Sequence, residues 1–385
     1  MKLLEGILVL DFSQYLAGPS CALRLADLGA RVIKVERPGS GDNARKVILK
    51  NLVVGENGVN FHAINRGKES FCANMKDPDD LEILKELIRK ADVMIENFRP
   101  GVMKKNGLDF ESVKAINPGI VYATVTGYGS KGPWVKKPGQ DLLVQSLSGL
   151  AWLNGNGGNP PTPFGLSIID SYAGVHMAEG ILAVLFRRFK TKEGGRVEVS
   201  LMESALDMQF EGITTYLNNG HELPARAEYN NAHAYLGAPY GVYETADGYI
   251  ALAMGSLKTL AECLELPALL EYDEEEEPFG KRDEIKGIIG EQLSKQGTVY
   301  WLERLKQKDY WASDVYSWDR LMETKAFKQL DFLQDLKFPT GECITTTRCP
   351  IRVDGEIYKL DKRAPELNEH TDSIKKEFKL GGATV

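Results

Sequence analysis

Short apolar runs alternate with helical patterns through the first half of this 385-residue chain, and this alternation most limits the folds open to it. Residues 6–12 carry the run Ile, Leu, Val, Leu, which is typical of a strand buried on both faces of a parallel sheet. The elements predicted after it are a helix at 20–28, a strand at 31–36, a helix at 79–91, and strands at 92–95 and 120–126. Strands that alternate with helices predict a doubly wound α/β domain.

A later part of the chain has a different character. Residues 221–231 are polar and are predicted to be a linker. Residues 240–245 and 249–253 alternate in polarity around a turn, which indicates a β-hairpin. With the helical patterns that follow, they predict a smaller α+β domain at 225–330. The tail becomes strand-like again at 351–360.

The first strand, helix and second strand resemble a dinucleotide-binding unit, with Glu36 at the end of the second strand. The first turn, 13–18, contains one glycine, whereas the dinucleotide fingerprint needs three. We therefore do not predict a dinucleotide site. Arg37 lies where open α/β sheets bind ligands, and it is either a ligand contact or a solvated surface arginine.

Composition excludes several classes of function. The net charge is −7, the pI is about 5.5, and no basic cluster is interleaved with aromatic residues, so we expect neither nucleic acid nor a membrane as partner. No apolar run approaches the length of about 20 residues that a membrane helix needs. We find no signal-peptide pattern, and the five cysteines are scattered. These features predict a reduced, cytoplasmic protein.

Two aspartates stand out beside loops rich in Gly, Pro and Asn at 127–165. Asp141 precedes a predicted short helix at 142–152, and Asp170 opens a long apolar helix. A carboxylate at a helix start can cap the unpaired N–H groups, and for either residue alone this role is the simpler interpretation. A working carboxylate is the alternative.

Other catalytic centres have little support. The five histidines never pair at helical spacing, so no metal site is predicted. No Gly-x-Ser-x-Gly motif occurs, and His176 lies about 240° around the helix from Asp170. A carboxylate can instead act as a nucleophile and form an acyl intermediate. Cations scattered on loops after the strands suit a phosphorylated or carboxylated ligand: Arg37, Lys68, Lys76, Lys105 and Lys137.

At this point the chain resembles the class III CoA-transferases, a family that includes formyl-CoA transferase, carnitine CoA-transferase and the α-methylacyl-CoA racemases. Six blocks in the same order carry the resemblance: 9–19 (VLDFSQYLAGP), 28–42 (beginning LGARVIKVER), 95–101 (IENFRPG), 138–150 (PGQDLLVQSLSGL), 169–185 and 364–371 (APELNEHT). The resemblance implies a large Rossmann-like domain (residues 1–224) completed by a return segment (331–385). It also implies two chains that interlock as a homodimer.

The family resemblance also implies the chemistry. Asp170 matches the nucleophile, which attacks an acyl-CoA to give a mixed anhydride and later becomes an aspartyl-CoA thioester attacked by an acceptor carboxylic acid. Coenzyme A, as acyl-CoA, is thus the implied substrate, and no metal is implied. Helix N–H groups near Asp170 are expected to lower its pKa.

The CoA-binding positions that match the family are Arg37, Lys76, Asn97, Phe98 and Lys105. Lys105 stands where arginine is common, so it offers a point charge and not a bidentate fork. Four further residues are expected near the thioester, where they orient substrate: Gln14, Tyr15, Gln140 and Asp141.

The racemase branch is the alternative function. Racemases have His where this chain has Gln140, paired with a Glu where an ungapped alignment places Ser256. Proton exchange needs a base on each face of the α-carbon, and neither glutamine nor serine is a base near neutral pH. Transfer is therefore favoured over racemisation. A non-catalytic CoA-binding protein is a third possibility.

Overall fold

The computed structural model describes residues 2–274 and 277–382. Its centre is a six-stranded parallel sheet with the strand order β3-β2-β1-β4-β5-β6. The strands are β1 (Leu8–Asp11), β2 (Arg31–Glu36), β3 (Glu69–Cys72), β4 (Val93–Glu96), β5 (Val121–Thr126) and β6 (Gly195–Ser200). This α/β architecture with a parallel sheet confirms the predicted fold class. Strand β3 was not predicted.

Helices cover both faces of this sheet. On one face, α1 (Ala17–Asp27) packs against the long helix Ile168–Thr191, called the Asp170 helix below, which also covers β5 and β6. On the other face, apolar side chains of Pro78–Ile88 and Phe110–Ile116 join the core. The remaining helices from the first 205 residues and the tail are Val59–Asn65, Val102–Lys105, Asp141–Leu147, Leu150–Leu153, Leu201–Met208 and Thr371–Phe378.

The described chain separates into two compact units. The first unit comprises Met1–Val144, Ser167–Ala205 and Leu330–Val385, and the second unit comprises Gln145–Leu166 and Leu206–Gln329. The second unit therefore starts before residue 225 and includes a segment that sequence analysis placed in the large domain. The predicted division into domains itself stays a prediction.

The second unit has its own apolar core around a three-stranded antiparallel sheet of Gly241–Glu244, Tyr249–Leu252 and Ala312–Asp314. The first two strands form the predicted hairpin. The helices of this part of the chain are Phe210–Asn218, Leu257–Leu264, Glu277–Gly280, Arg282–Leu293, Thr298–Gln307, Trp318–Glu323 and Lys325–Leu330.

Two predicted helices are interrupted. The helix expected at 142–152 is two helices, because Gly149 adopts a φ of +89° between them. The sequence pattern also predicts a single helix at 202–216, and this segment is likewise two helices, Leu201–Met208 and Phe210–Asn218.

The Asp170 helix is long and apolar enough, by length and composition, to cross a membrane. The expectation that no segment approaches this length is therefore wrong, because Asp170 and Glu179 are the only charged residues between Ile168 and Phe186. Core helices pass the same test, and this one packs on the parallel sheet. The absence of a membrane partner stays a prediction.

Candidate active site

The Asp170 helix begins without a cap from its own neighbour, since the Ser167 side chain makes no capping hydrogen bond. Asp141 supplies the cap from 28 residues away. Its Oδ2 accepts the backbone N–H of Ile169 at 2.8 Å and that of Asp170 at 3.0 Å. Asp141 and Ile169 are both buried, so this cap lies in the interior and replaces the water that would bind an exposed helix start. The predicted capping role of Asp141 thus applies to the Asp170 helix.

A close backbone contact places Asp141. The Cα atoms of Gly127 and Gly139 approach so closely that a Cβ on either glycine would lie 2.5–2.6 Å from the other Cα. This contact closes the loop between the two glycines and sets Gln140 and Asp141 beside the end of β5. Only glycine permits such an approach.

The Asp170 side chain is partly buried, and within the described residues its carboxyl makes no hydrogen bond or ion pair. Burial, with a smaller contribution from the negative charge of Asp141, raises its pKa from 3.8 to about 7. The expectation of a lowered pKa is wrong. The helix N–H groups that were expected to stabilise the Asp170 carboxylate bind the carboxylate of Asp141 instead.

The loop after β1 lies near this helix start. Gly174, one helical turn after Asp170, faces the first turn of α1, and a Cβ at this position would lie 2.8 Å from the carbonyl oxygen of Ala17. Gln14 and Tyr15 immediately precede that turn. The structure therefore packs the helix turn that follows the predicted thioester loop against the Asp170 helix, one turn beyond the residue predicted as nucleophile. Tyr15 is 54% exposed.

The predicted CoA-binding cations follow strands of the parallel sheet. Arg37 directly follows β2, Lys76 lies beyond β3, and Lys105 ends the helix Val102–Lys105 after β4. All three side chains are exposed, and none forms an ion pair within the part of the chain that is described. Their positions along one edge suit a polyanionic ligand.

The other two predicted CoA-binding residues differ in their surroundings. Phe98 lines a cleft of about 690 Å³ beside β4, β5 and β6, together with the buried Glu96. The Asn97 side chain instead bonds to the backbone of Gln14.

Two charged residues considered from the sequence serve the interior. Lys68 is buried and donates to Asp11 and Asn65, both at 2.8 Å, and burial lowers its pKa to about 8. Glu36 is buried and accepts from Arg45. These buried contacts occupy both side chains.

The positions that distinguish racemases hold no base. Gln140 is exposed. Ser256 caps the helix Leu257–Leu264 by accepting the N–H of Thr259, and its hydroxyl donates to Glu274 at 2.6 Å. His176 contacts Ser204 at 3.0 Å. No cluster of three His, Cys, Asp or Glu side chains suited to a metal occurs among the described residues.

Comparison with known proteins covers nearly the whole chain. A family model described as CoA-transferase family III matches residues 4–371. The acetyl-CoA:oxalate CoA-transferase of Acetobacter aceti is 33% identical over 385 residues, which cover 97% of this chain and 95% of that protein. The succinyl-CoA:glutarate CoA-transferase of Homo sapiens is 30% identical over 383 residues, covering 98% and 86%. A solved CaiB/BaiF family protein from Brucella suis has a TM-score of 0.82 at 30% identity, covering 98% of this chain and 99% of that one.

Proposed function

The chain belongs to CoA-transferase family III, a family of enzymes that act on CoA thioesters, and from this premise we propose that it transfers CoA to a carboxylic acid with Asp170 as the nucleophile. One observation carries the proposal. The Asp170 carboxyl stands at the start of a helix, free of protein partners among the described residues, with its pKa raised to about 7.

The first half-reaction loads CoA onto the enzyme. An Asp170 carboxylate oxygen attacks the thioester carbon, the C–S bond breaks, and CoA leaves as the thiolate, so that a mixed anhydride remains. The thiolate then attacks Cγ of Asp170, and the donor acid leaves with one oxygen from the enzyme. Asp170 now carries CoA as a thioester.

The second half-reaction reverses these steps with the acceptor acid. Its carboxylate attacks Cγ of the aspartyl thioester, which expels the thiolate and forms a second anhydride. The thiolate attacks the acceptor's carbonyl carbon, and Asp170 is released as a carboxylate. One oxygen of the acceptor stays on Asp170, so an oxygen isotope in the acceptor's carboxylate can trace this reaction path.

The raised pKa of Asp170 suits this chemistry. A carboxylate is more nucleophilic when its conjugate acid is weaker, and an unpaired oxygen needs no hydrogen bond broken before it attacks. Since Asp141 accepts the first N–H groups of the helix, it fixes the backbone of Asp170. Asp141 therefore acts on the reaction through Asp170, and the exposed Gln140 can donate to a bound carboxylate.

We assign the CoA phosphates to Arg37, Lys76 and Lys105, because these exposed cations follow β2, β3 and β4 of the same parallel sheet. The names of the relatives above cite acetyl, oxalate, succinyl and glutarate groups, so short mono- and dicarboxylic acids are the substrates to test first. Large apolar side chains, such as Phe186 and Phe189 at 67% and 79% exposure, support burial in a homodimer. An interlocked dimer and a cytoplasmic location complete the proposal.

The test is transfer of labelled acids onto CoA, with acetyl-CoA and succinyl-CoA as donors and oxalate, glutarate and succinate as acceptors. Wild-type protein is expected to exchange at least one pair, and Asp170→Asn to show none. Robust transfer by Asp170→Asn would refute the nucleophile. Deuterium uptake at the α-carbon of a 2-methylacyl-CoA, without any acceptor acid, would instead favour racemisation.

A further inference from the structure

Ser13, Gln14 and Tyr15, which follow the first strand and Phe12, are held through their main chain. Nζ of Lys34 donates to the carbonyl oxygen of Ser13 at 2.8 Å. The amide of Asn97 accepts the N–H of Gln14 at 2.8 Å and donates to its carbonyl oxygen at 2.7 Å. Oδ1 of Asp42 accepts the N–H of Tyr15 at 3.1 Å. Every one of these bonds comes from a side chain of another segment.

Two of these side chains form an ion pair inside the protein. Lys34 is 0% exposed and Asp42 is 1% exposed, and Nζ of the lysine lies 2.8 Å from Oδ2 of the carboxylate. A buried ion pair adds little to stability, because desolvation offsets the attraction, but it fixes geometry. Here the pair joins both ends of the segment Ser13 to Tyr15.

The geometry that is held is unusual. Tyr15 has a φ of +65°, a left-handed conformation that is unfavourable for a residue with a side chain. Its ring nevertheless points outward and is half exposed. The Gln14 side chain is oriented as well, since Nδ2 of Asn43 donates to its Oε1 at 2.9 Å. The contacts thus fix two presented side chains on a strained turn.

Both polar atoms of the Asn97 amide bond to the backbone of Gln14, since Oδ1 accepts its N–H and Nδ2 donates to its carbonyl oxygen. We propose that Asn97 and the Lys34–Asp42 pair are positioning residues for Gln14 and Tyr15, and that the Asn97 side chain acts through this loop and not as a ligand of CoA. The inference rests on the proposed transfer reaction for its kinetic consequence. It changes the role that the family resemblance implied for Asn97.

Kinetics of Asn97→Ala test this role in two backgrounds. In the wild-type background kcat is expected to fall about 10- to 100-fold, the effect of displacing reacting groups by about 1 Å. In a Gln14→Ala/Tyr15→Ala background the same substitution should change kcat less than about threefold, because the loop side chains through which it acts are gone. Affinity for desulfo-CoA, a CoA that lacks the thiol, should stay within about threefold by calorimetry.

Asn117→Ala is the matched control. Asn117 makes the same kind of amide contact, since it donates to the carbonyl oxygens of Ile88 and Ala91 and accepts the N–H of Gly119. It precedes β5, however, and so lies at the N-terminal ends of the strands, opposite to the candidate site. It should lose similar stability and keep its kcat.

Two binding or kinetic results would overturn the inference. One is a desulfo-CoA affinity that falls tenfold or more in Asn97→Ala while kcat is retained. The other is an equal loss of kcat in both backgrounds. Hydrogen exchange separates these failures from failure of the proposed function, because it needs no turnover. The amides of Gln14 and Tyr15 should be protected in the wild type and in Asn117→Ala, and should exchange faster in Asn97→Ala; unprotected amides in the wild type would also refute the positioning role.

Discussion

Replacing Asp141 with asparagine separates its two effects on Asp170. The amide oxygen of the introduced asparagine can still accept the N–H groups of Ile169 and Asp170, so the helix stays capped. The negative charge beside the Asp170 carboxyl disappears, however, and a like charge is one cause of its raised pKa. We therefore expect Asp141→Asn to lower the pKa of Asp170.

The size of this change is bounded by the structure. The pKa of Asp170 is about 7 against an ordinary 3.8, and burial is the larger of the two causes. The charge of Asp141 therefore accounts for less than half of the difference, so the pKa should fall by less than about 1.6, worth less than about 2 kcal/mol.

The assay is the pH dependence of kcat/KM. Because the carboxylate is the reactive form, activity falls as the pH drops through the pKa of Asp170, and the acid limb should move from about pH 7 to between about 5.5 and 6.5 in Asp141→Asn. Asp141→Ala, which also removes the cap, should in addition lose about 0.5–2 kcal/mol of unfolding free energy. An acid limb that stays in place or moves upward would refute the assigned coupling.

Three further predictions concern stability and binding. Between about pH 4 and 7, Asp170 keeps a proton in the folded protein that it has lost in the unfolded chain, so the unfolding free energy falls as the pH rises through this window. Asp170→Asn should therefore raise the unfolding free energy by about 2–4 kcal/mol at pH 8 and leave it nearly unchanged at pH 4, as measured by urea titration. Gly174→Ala should lower the unfolding free energy by about 1–3 kcal/mol, because the added Cβ would press on the carbonyl of Ala17. Gly212 lies in a helix with open space around it, so Gly212→Ala should instead raise the unfolding free energy by about 0.5–1 kcal/mol. Equal effects of the two substitutions would contradict the close packing at Gly174. Lys105→Ala should weaken desulfo-CoA binding about fivefold at low salt and less at high salt, and an unchanged affinity would remove this residue from the site.

Strands that consist mainly of apolar residues were predictable from the sequence, and β2 is found at its predicted residues. Strand β3 was not, because it begins with Glu69 and Ser70. These polar residues are satisfied by Arg31 and Glu36 from the neighbouring strand, and a local pattern cannot show such distant partners.

The same limit applies to the candidate site. Asp170 could be selected from its motif, but its pKa depends on Asp141 and on burial, neither of which is visible locally. Asp42 and Lys34 looked like ordinary charged residues of a loop and a strand. Only the fold shows that they meet inside the protein and hold Tyr15.

The central claim is that Asp170 carries the acyl and CoA groups in turn, and an isotope test measures this directly. In a single turnover with an acceptor acid labelled with ¹⁸O in both carboxylate oxygens, one labelled oxygen should remain on the enzyme. Mass spectrometry of the peptide that contains Asp170 should find one ¹⁸O there, and none in Asp141 or any other carboxylate. Complete transfer with no label on Asp170, or with label on a different residue, would contradict the mechanism.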